Sequence, residues 1–283
     1  MKKIKSFAKI NLFLKVTKRF KNFHKIHSLI VQINLYDEVL IKENIRNKNT
    51  ILFFGKYKAN KQNNTVINLL KLMKKKFSSI KYKNFDIHIK KNIPNGSGLG
   101  GASSNAATVF NFIKRKYKLK ISDKDSQKLL AKIGKDCPLF LNQKAKLIKS
   151  TGEQFVEYKD NPKLNMLLIY PNMTLSTKKV FNKLKNISNI SLKKGINFKD
   201  EKRLLDVCKY YGNDLLIPAI KIAPKLKTLI KLISKIEDSN FYSMTGSGSA
   251  FFLIFNKKKS LLNAQKIIKK HRVGFWTKIV KTI

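Results

Sequence analysis

Apolar and polar positions alternate at the start of the chain in the manner of strands. In Ser6-Phe7-Ala8-Lys9-Ile10-Asn11-Leu12-Phe13-Leu14-Lys15-Val16, a period of two sends Ala8, Ile10, Leu12, Leu14 and Val16 to one face and Phe7, Lys9, Asn11 and Phe13 to the other. The pattern predicts extended chain over 4–16 and 28–40, a helix over 65–77 and a strand over 85–90, where Phe85, Ile87 and Ile89 alternate with Asp86, His88 and Lys90. Helices follow over 104–117 and 126–134, the first because Ala106, Val109, Phe110, Ile113 and Tyr117 recur at three- and four-residue spacing. Past Thr151-Gly152-Glu153 a new apolar strand, 166–170, ends at Pro171, and 185–202 is polar and loop-rich. Helices over 204–210, 225–236 and 261–270 and a strand over 250–255 complete the series. Mixed strands and helices make the fold class α+β, with two domains, 1–154 and 155–283.

Composition changes this picture little. A hydrophobic fraction of 43% belongs to an ordinary globular chain of 283 residues. Cys137 and Cys208 offer neither a disulfide framework nor metal-ligand spacing, and the four histidines are scattered, so a reducing cytoplasm is expected. Lys9, Asn11 and Lys15 interrupt the segment after the basic N-terminus, and no apolar run approaches the roughly eighteen residues of a membrane span, so no membrane partner is expected.

The formal net charge of +45 invites a polyanion as partner. The lysines are nevertheless spread over the whole length and rise together with Asn and Ile, all three encoded by A/T-rich codons. Base composition accounts for that, and the charge implies only weak, salt-sensitive, nonspecific association with nucleic acid.

Chemistry concentrates in Pro94-Asn95-Gly96-Ser97-Gly98-Leu99-Gly100-Gly101-Ala102-Ser103-Ser104, between the strand at 85–90 and the helix pattern after it. Glycines let successive backbone N–H groups converge on one point, and the helix N-terminus adds its dipole, which makes a cradle for an anion such as a nucleotide polyphosphate. Ser103 or Ser104 is expected to cap the helix. Gly96, Gly98 and Gly101 satisfy G-x-G-x-x-G, but Asp123 and Asp125 sit at a helix start rather than at the end of a second strand, and Ala102 stands where a P-loop requires lysine. Any cation serving the phosphates comes from elsewhere in the chain.

Three further places carry candidate residues. Lys9 and Asn11 project together from one strand face, roughly 6.5–7 Å apart, which marks Lys9 as a functional cation. In Gly134-Lys135-Asp136-Cys137-Pro138, Asp136 reads either as a helix cap ahead of a first-turn proline or as a carboxylate that takes a proton from an attacking hydroxyl. Met244-Thr245-Gly246-Ser247-Gly248 is either a turn between strands or a second glycine-serine loop closing over phosphates.

Taken together, Ala8-Lys9-Ile10-Asn11-Leu12-Phe13-Leu14, the glycine-rich loop, Gly134 to Pro138 and Met244 to Gly248 resemble the GHMP kinase superfamily, in order and over nearly the whole chain. The resemblance implies a ribosomal-S5-like N-terminal domain, a ferredoxin-like C-terminal domain, and ATP with Mg²⁺ as cofactors. The opening strand and Phe23-His24 point, within the superfamily, to a member that phosphorylates the 2-hydroxyl of cytidyl-diphosphate methylerythritol. By the same likeness Asp136 is the base and Lys9 its partner, residues 94–104 hold the ATP phosphates, and Asn11, Phe23, His24, Thr177 and Phe181 meet the substrate. Gly246, Ser247 and Gly248 enclose the reacting groups, and Ser103 is the one side chain suggested for Mg²⁺, whose protein ligand the sequence does not identify. Ala102, Phe23 and Lys135 depart from the superfamily pattern, standing for a glycine, a tyrosine and a small residue. The rival readings are a kinase of a mevalonate- or homoserine-like alcohol and, from another class, a basic nucleic-acid-binding protein.

Overall fold

A computed structural model describes residues 1–20, 24–57, 64–149, 154–185, 187, 196, 200–271 and 274–283. These form two compact units, each assembled from several stretches of chain: Met1–Ala8, Leu35–Asn95 and Gly100–Gln143 make one, and Lys9–Asn34, Gly96–Leu99 and Lys144–Ile283 the other. Two long strands, β1 (Lys2–Arg19) and β2 (His24–Asn44), contribute residues to both.

In the first unit the later part of β2 pairs antiparallel with β4 (Asn84–Lys91), placing Val39 opposite Ile89 and Ile41 opposite Ile87. The edge strand β3 (Thr50–Gly55) runs parallel to β4. Helices α1 (Thr65–Lys76), α2 (Gly101–Lys116) and α3 (Asp123–Ala131) accompany this sheet. The amphipathic stripe of α2 buries Ala106, Val109, Phe110 and Ile113 completely, and that of α1 buries Val66, Leu69, Leu70 and Met73. Each large apolar side chain so buried contributes about 1.5–3 kcal/mol over leaving it exposed. Asn64 caps α1 by accepting from Ile67 N at 2.8 Å, and Ser122 caps α3 by accepting from Asp125 N at 3.0 Å. A short 3₁₀ turn, Cys137–Phe140, lies against both α2 and α3.

The second unit holds the first part of β2, which pairs through Ser28 to Ile30 with β5 (Lys146–Ile148), itself paired with β6 (Phe155–Glu157). Its own antiparallel sheet contains β7 (Asn165–Tyr170), β8 (Phe241–Met244), β9 (Phe251–Phe255) and β10 (Trp276–Lys281) in the order β10-β7-β9-β8. Both central strands are apolar along almost their whole length, as strands covered on two faces must be. Helices α4 (Thr177–Asn182), α5 (Glu201–Tyr211), α6 (Leu216–Ile222), α7 (Leu226–Ser234) and α8 (Lys258–Lys270) complete it. Leu167 and Ile169 of β7 and Phe251, Leu253 and Phe255 of β9 share a core with Leu229 and Ile233 of α7 and Leu261, Ala264 and Ile268 of α8.

The α+β class is that read from the sequence, and the long elements fall where the periodicity puts them. Helix starts are corrected: α3, α5 and α8 begin three residues earlier than the pattern places them, at Asp123, Glu201 and Lys258, and so does α2, at Gly101 rather than at 104. Its cap is therefore Gly100, and Ser103 and Ser104 lie inside the first turn. Among the described residues no helix is long and apolar enough to cross a membrane.

Candidate active site

The glycine loop leaves β4 and ends in α2. Gly96, Gly98 and Gly100 have φ of 61°, 82° and 74°, the left-handed region that glycine enters without strain. Side chains are also excluded by space, because a Cβ on Gly96 would collide with the Thr174 methyl and one on Gly98 with the Thr245 carbonyl oxygen. Residues 96–99 are held by main-chain bonds on either side: Lys9 N donates to Leu99 O at 3.0 Å, and Ala250 N donates to Ser97 O at 3.1 Å. Gly100, as the cap of α2, brings no side-chain oxygen to compete for the first-turn amides. Ser104 turns inward instead, its hydroxyl 2.8 Å from that of Ser6.

Lys9 and Asn11 come together as their strand spacing predicts. Each is 4% exposed, and the Lys9 ammonium donates to Asn11 Oδ1 at 2.5 Å. Asn11 is itself fixed: its Nδ2 donates to Ser28 Oγ at 2.7 Å, Ser28 Oγ donates to Phe13 O at 2.6 Å, and Asn11 N donates to Thr245 Oγ1 at 3.0 Å. The chain of bonds leaves the amide oxygen facing the ammonium. The segment 245–248 crosses close by, since a Cβ on Gly246 would lie 3.3 Å from Asn11 Oδ1 and 3.4 Å from Lys9 Nζ.

Asn213 anchors that segment from below, its Nδ2 donating to Met244 O at 2.7 Å and to Gly246 O at 2.9 Å. The neighbouring Asp214 carboxylate ties the same turn to β1, taking Lys15 Nζ at 2.7 Å and Val16 N at 2.8 Å. The remaining residues suggested for the substrate form two pairs. Thr177 Oγ1 and Ser247 Oγ are 2.9 Å apart, and the His24 and Phe181 rings stand 4.9 Å apart, tilted by 35°. Phe23 lies outside the described residues.

On the first unit, Asp136 occupies the cap position of the Cys137–Phe140 turn, but its side chain makes no capping hydrogen bond. Asp136 is half-buried, whereas Lys135 is exposed. A Cβ on Gly134 would lie 3.2 Å from Cys137 Sγ and 3.9 Å from Ser103 Oγ, so this turn sits against the first turn of α2. Burial pushes the Cys137 thiol up to about 11, against a lowering hydrogen bond from Ser103 and with a smaller raising effect of Asp136, so it is protonated at neutral pH.

Sequence reasoning missed Asn213, Asp214, Ser28 and the role of Thr245 toward Asn11. Thr245 stood inside a motif already singled out, but nothing in Gly212-Asn213-Asp214 distinguishes it from any polar turn after a helix. Among the described residues there is no group of three or more His, Cys, Asp or Glu side chains able to hold a metal.

Residues 64–142 match the GHMP kinases N terminal domain family. The chain is 34% identical over 285 residues to a 4-diphosphocytidyl-2-C-methyl-D-erythritol kinase of Pelagibacter ubique (strain HTCC1062), covering 99% of each chain. It is 33% identical to the protein of the same name from Ehrlichia canis (strain Jake), over 95% of this chain and 94% of that one. A crystal structure of a 4-(cytidine 5'-diphospho)-2C-methyl-D-erythritol kinase superimposes with a TM-score of 0.77 over 99% of both chains at 23% identity, a likeness of fold.

Proposed function

The chain belongs to the 4-diphosphocytidyl-2-C-methyl-D-erythritol kinase family, and on that premise we propose that it transfers the γ-phosphoryl group of ATP to the 2-hydroxyl of 4-diphosphocytidyl-2-C-methyl-D-erythritol, a step toward isoprenoid precursors outside the mevalonate route. The observation that carries the reading is the dry Lys9–Asn11 pair, with Lys9 bonded through its backbone to the glycine loop. A desolvated ammonium oriented by an amide is suited to stabilising a developing alkoxide.

The roles follow. Residues 94–104 hold the ATP phosphates through main-chain amides between Pro94 and Ser104; three left-handed glycines and a side-chain-free helix cap fit that ligand. Mg²⁺ brought with the nucleotide would supply charge neutralisation, and Ser103 is the hydroxyl proposed to hold it. Asp136 accepts the proton of the 2-hydroxyl. It takes the proton late, after bond formation to phosphorus has acidified the hydroxyl. Phosphoryl transfer passes through a loose transition state, in which positioning and charge account for most of the acceleration.

Asn11, His24, Phe23, Thr177 and Phe181 hold the substrate, the aromatic rings stacking on cytosine. Gly246 to Gly248 cover the reacting groups. The two free, buried cysteines suit a cytoplasmic enzyme.

ADP release measured with a coupled assay across candidate alcohols tests this reading. Saturable turnover with the cytidyl substrate, and none with mevalonate or homoserine, is the expected result. Turnover with mevalonate alone would move the chain to another GHMP activity. Absence of turnover, together with nucleic-acid binding that survives Gly100→Val, would place it outside the kinases.

A further inference from the structure

We propose that Asp37 is a positioning residue for the nucleotide phosphates, a single carboxylate that fixes both ends of the glycine loop; the inference rests on the phosphate-binding role given to that loop above. Asp37 lies on β2 and is fully buried. Its Oδ1 accepts Asn92 N at 2.7 Å and Ile93 N at 2.9 Å, while its Oδ2 takes the Lys91 ammonium and Asn105 Nδ2, the latter at 3.1 Å. Lys91, Asn92 and Ile93 immediately precede Pro94, and Asn105 immediately follows Ser104. Residues 94–104 are therefore bracketed by bonds to one side chain.

Three features show that these bonds do more than fill a core. The first is charge. A lone buried carboxylate beneath a phosphate site would repel the ligand, and Lys91, itself 2% exposed, cancels it locally.

The second is the Asn105 amide. It is 2% exposed and among the described residues its Oδ1 has no hydrogen-bond partner, while its Nδ2 donates to Asp37. An apolar residue would fill that space without an orphaned oxygen, whereas the amide brings a donor that couples α2 to the carboxylate.

The third is proximity. A Cβ on Gly101 would lie 3.1 Å from Ile93 Cγ2 and 3.3 Å from Lys91 Nζ, so the first turn of α2 rests directly on the residues Asp37 holds. Movement at either anchor changes where the loop amides point, and preorganised donors lose their advantage when displaced by fractions of an ångström.

The test uses the full chain with Asn105→Leu, which keeps the buried charges paired, and with the double replacement Asp37→Asn/Lys91→Met, which removes both. Dissociation constants for ATP and AMP are measured by titration, beside KM for both substrates and the melting temperature. For Asn105→Leu, ATP affinity is expected to fall about tenfold and KM for ATP to rise with it, while AMP affinity and the KM of the alcohol stay within about twofold. The double variant, where folded, follows the same pattern more strongly; if it does not fold, Asn105→Leu decides. Equal losses for ATP and AMP, or no loss for either, would overturn the inference and leave Asp37 a purely structural anchor. Failure of the unmodified protein to bind ATP would instead overturn the functional reading, which separates the two.

Discussion

The Lys9 ammonium and the Asn11 amide oxygen meet at 2.5 Å on one face of a single strand, and both residues are almost wholly withdrawn from water. The bond fixes where the ammonium points, which makes Lys9 the first side chain to replace in testing the proposed transfer.

Replacement of Lys9 by methionine keeps length and removes charge. The Lys9→Met protein is expected to melt within a few degrees of the unmodified chain, since loss of a buried charge offsets loss of its bond. Its kcat is expected to fall by about 10²–10³, the effect of removing one donor to a developing oxyanion. Steady-state kinetics beside a thermal melt check both.

Asp136→Asn separates the two readings of that residue. Its side chain makes no capping bond in the structure, so no helix cap is lost and the variant should fold. Turnover should drop by about 10²–10⁴, the usual range for loss of a general base. Wild-type turnover would return Asp136 to a structural role.

Much of this site is visible in the sequence because its logic is local. A period of two places Lys9 beside Asn11, and the density of glycines marks the loop proposed to cradle phosphates. The start of α2 was not legible, because serine is the commoner cap and only the left-handed backbone of Gly100 shows that the cap lies earlier. Asn213 and Asp37 escaped notice for a different reason. Their partners are 31 to 33 and 54 to 68 residues away, and a sequence carries no sign of such distances. Short strands such as β5 and β6 give no period to read. Helix α6 contains Pro218, which argues against a helix; it is accommodated in the first turn, where its missing N–H has no intrahelical partner to serve.

Glycine positions differ in what a methyl group would meet. Gly274 has a φ of 64° but nothing within 4 Å of an added Cβ, so Gly274→Ala should cost only the backbone term of about 1–2 kcal/mol. Gly98 has a φ of 82° and would also drive its Cβ into the Thr245 carbonyl. Gly98→Ala should therefore be the more destabilising in urea unfolding, and it alone should weaken ATP binding.

Lys146 offers a pH-dependent test of burial. It is 1% exposed, its Nζ donates to Lys144 O at 2.9 Å, and burial lowers its pKa to about 8, opposed by Glu157 and aided by Lys144. A lysine whose folded pKa lies below its unfolded value of about 10.4 penalises folding fully at pH below 8, and the penalty fades as pH rises toward the unfolded value. Lys146→Met should accordingly stabilise the protein at pH 7 by on the order of 1–3 kcal/mol. Measured against the unmodified chain by urea unfolding, the gain should shrink steadily between pH 8 and 10.

The most direct measurement is phosphorus NMR of the product formed from ATP and 4-diphosphocytidyl-2-C-methyl-D-erythritol, run with the unmodified enzyme and with Asp136→Asn. A new phosphomonoester resonance coupled to the 2-position, with the cytidyl diphosphate intact and the signal nearly lost in the variant, is the expected result. A phosphate at another position, no new phosphomonoester, or equal signal from the variant would contradict the assignment of Lys9 and Asp136 to the transfer.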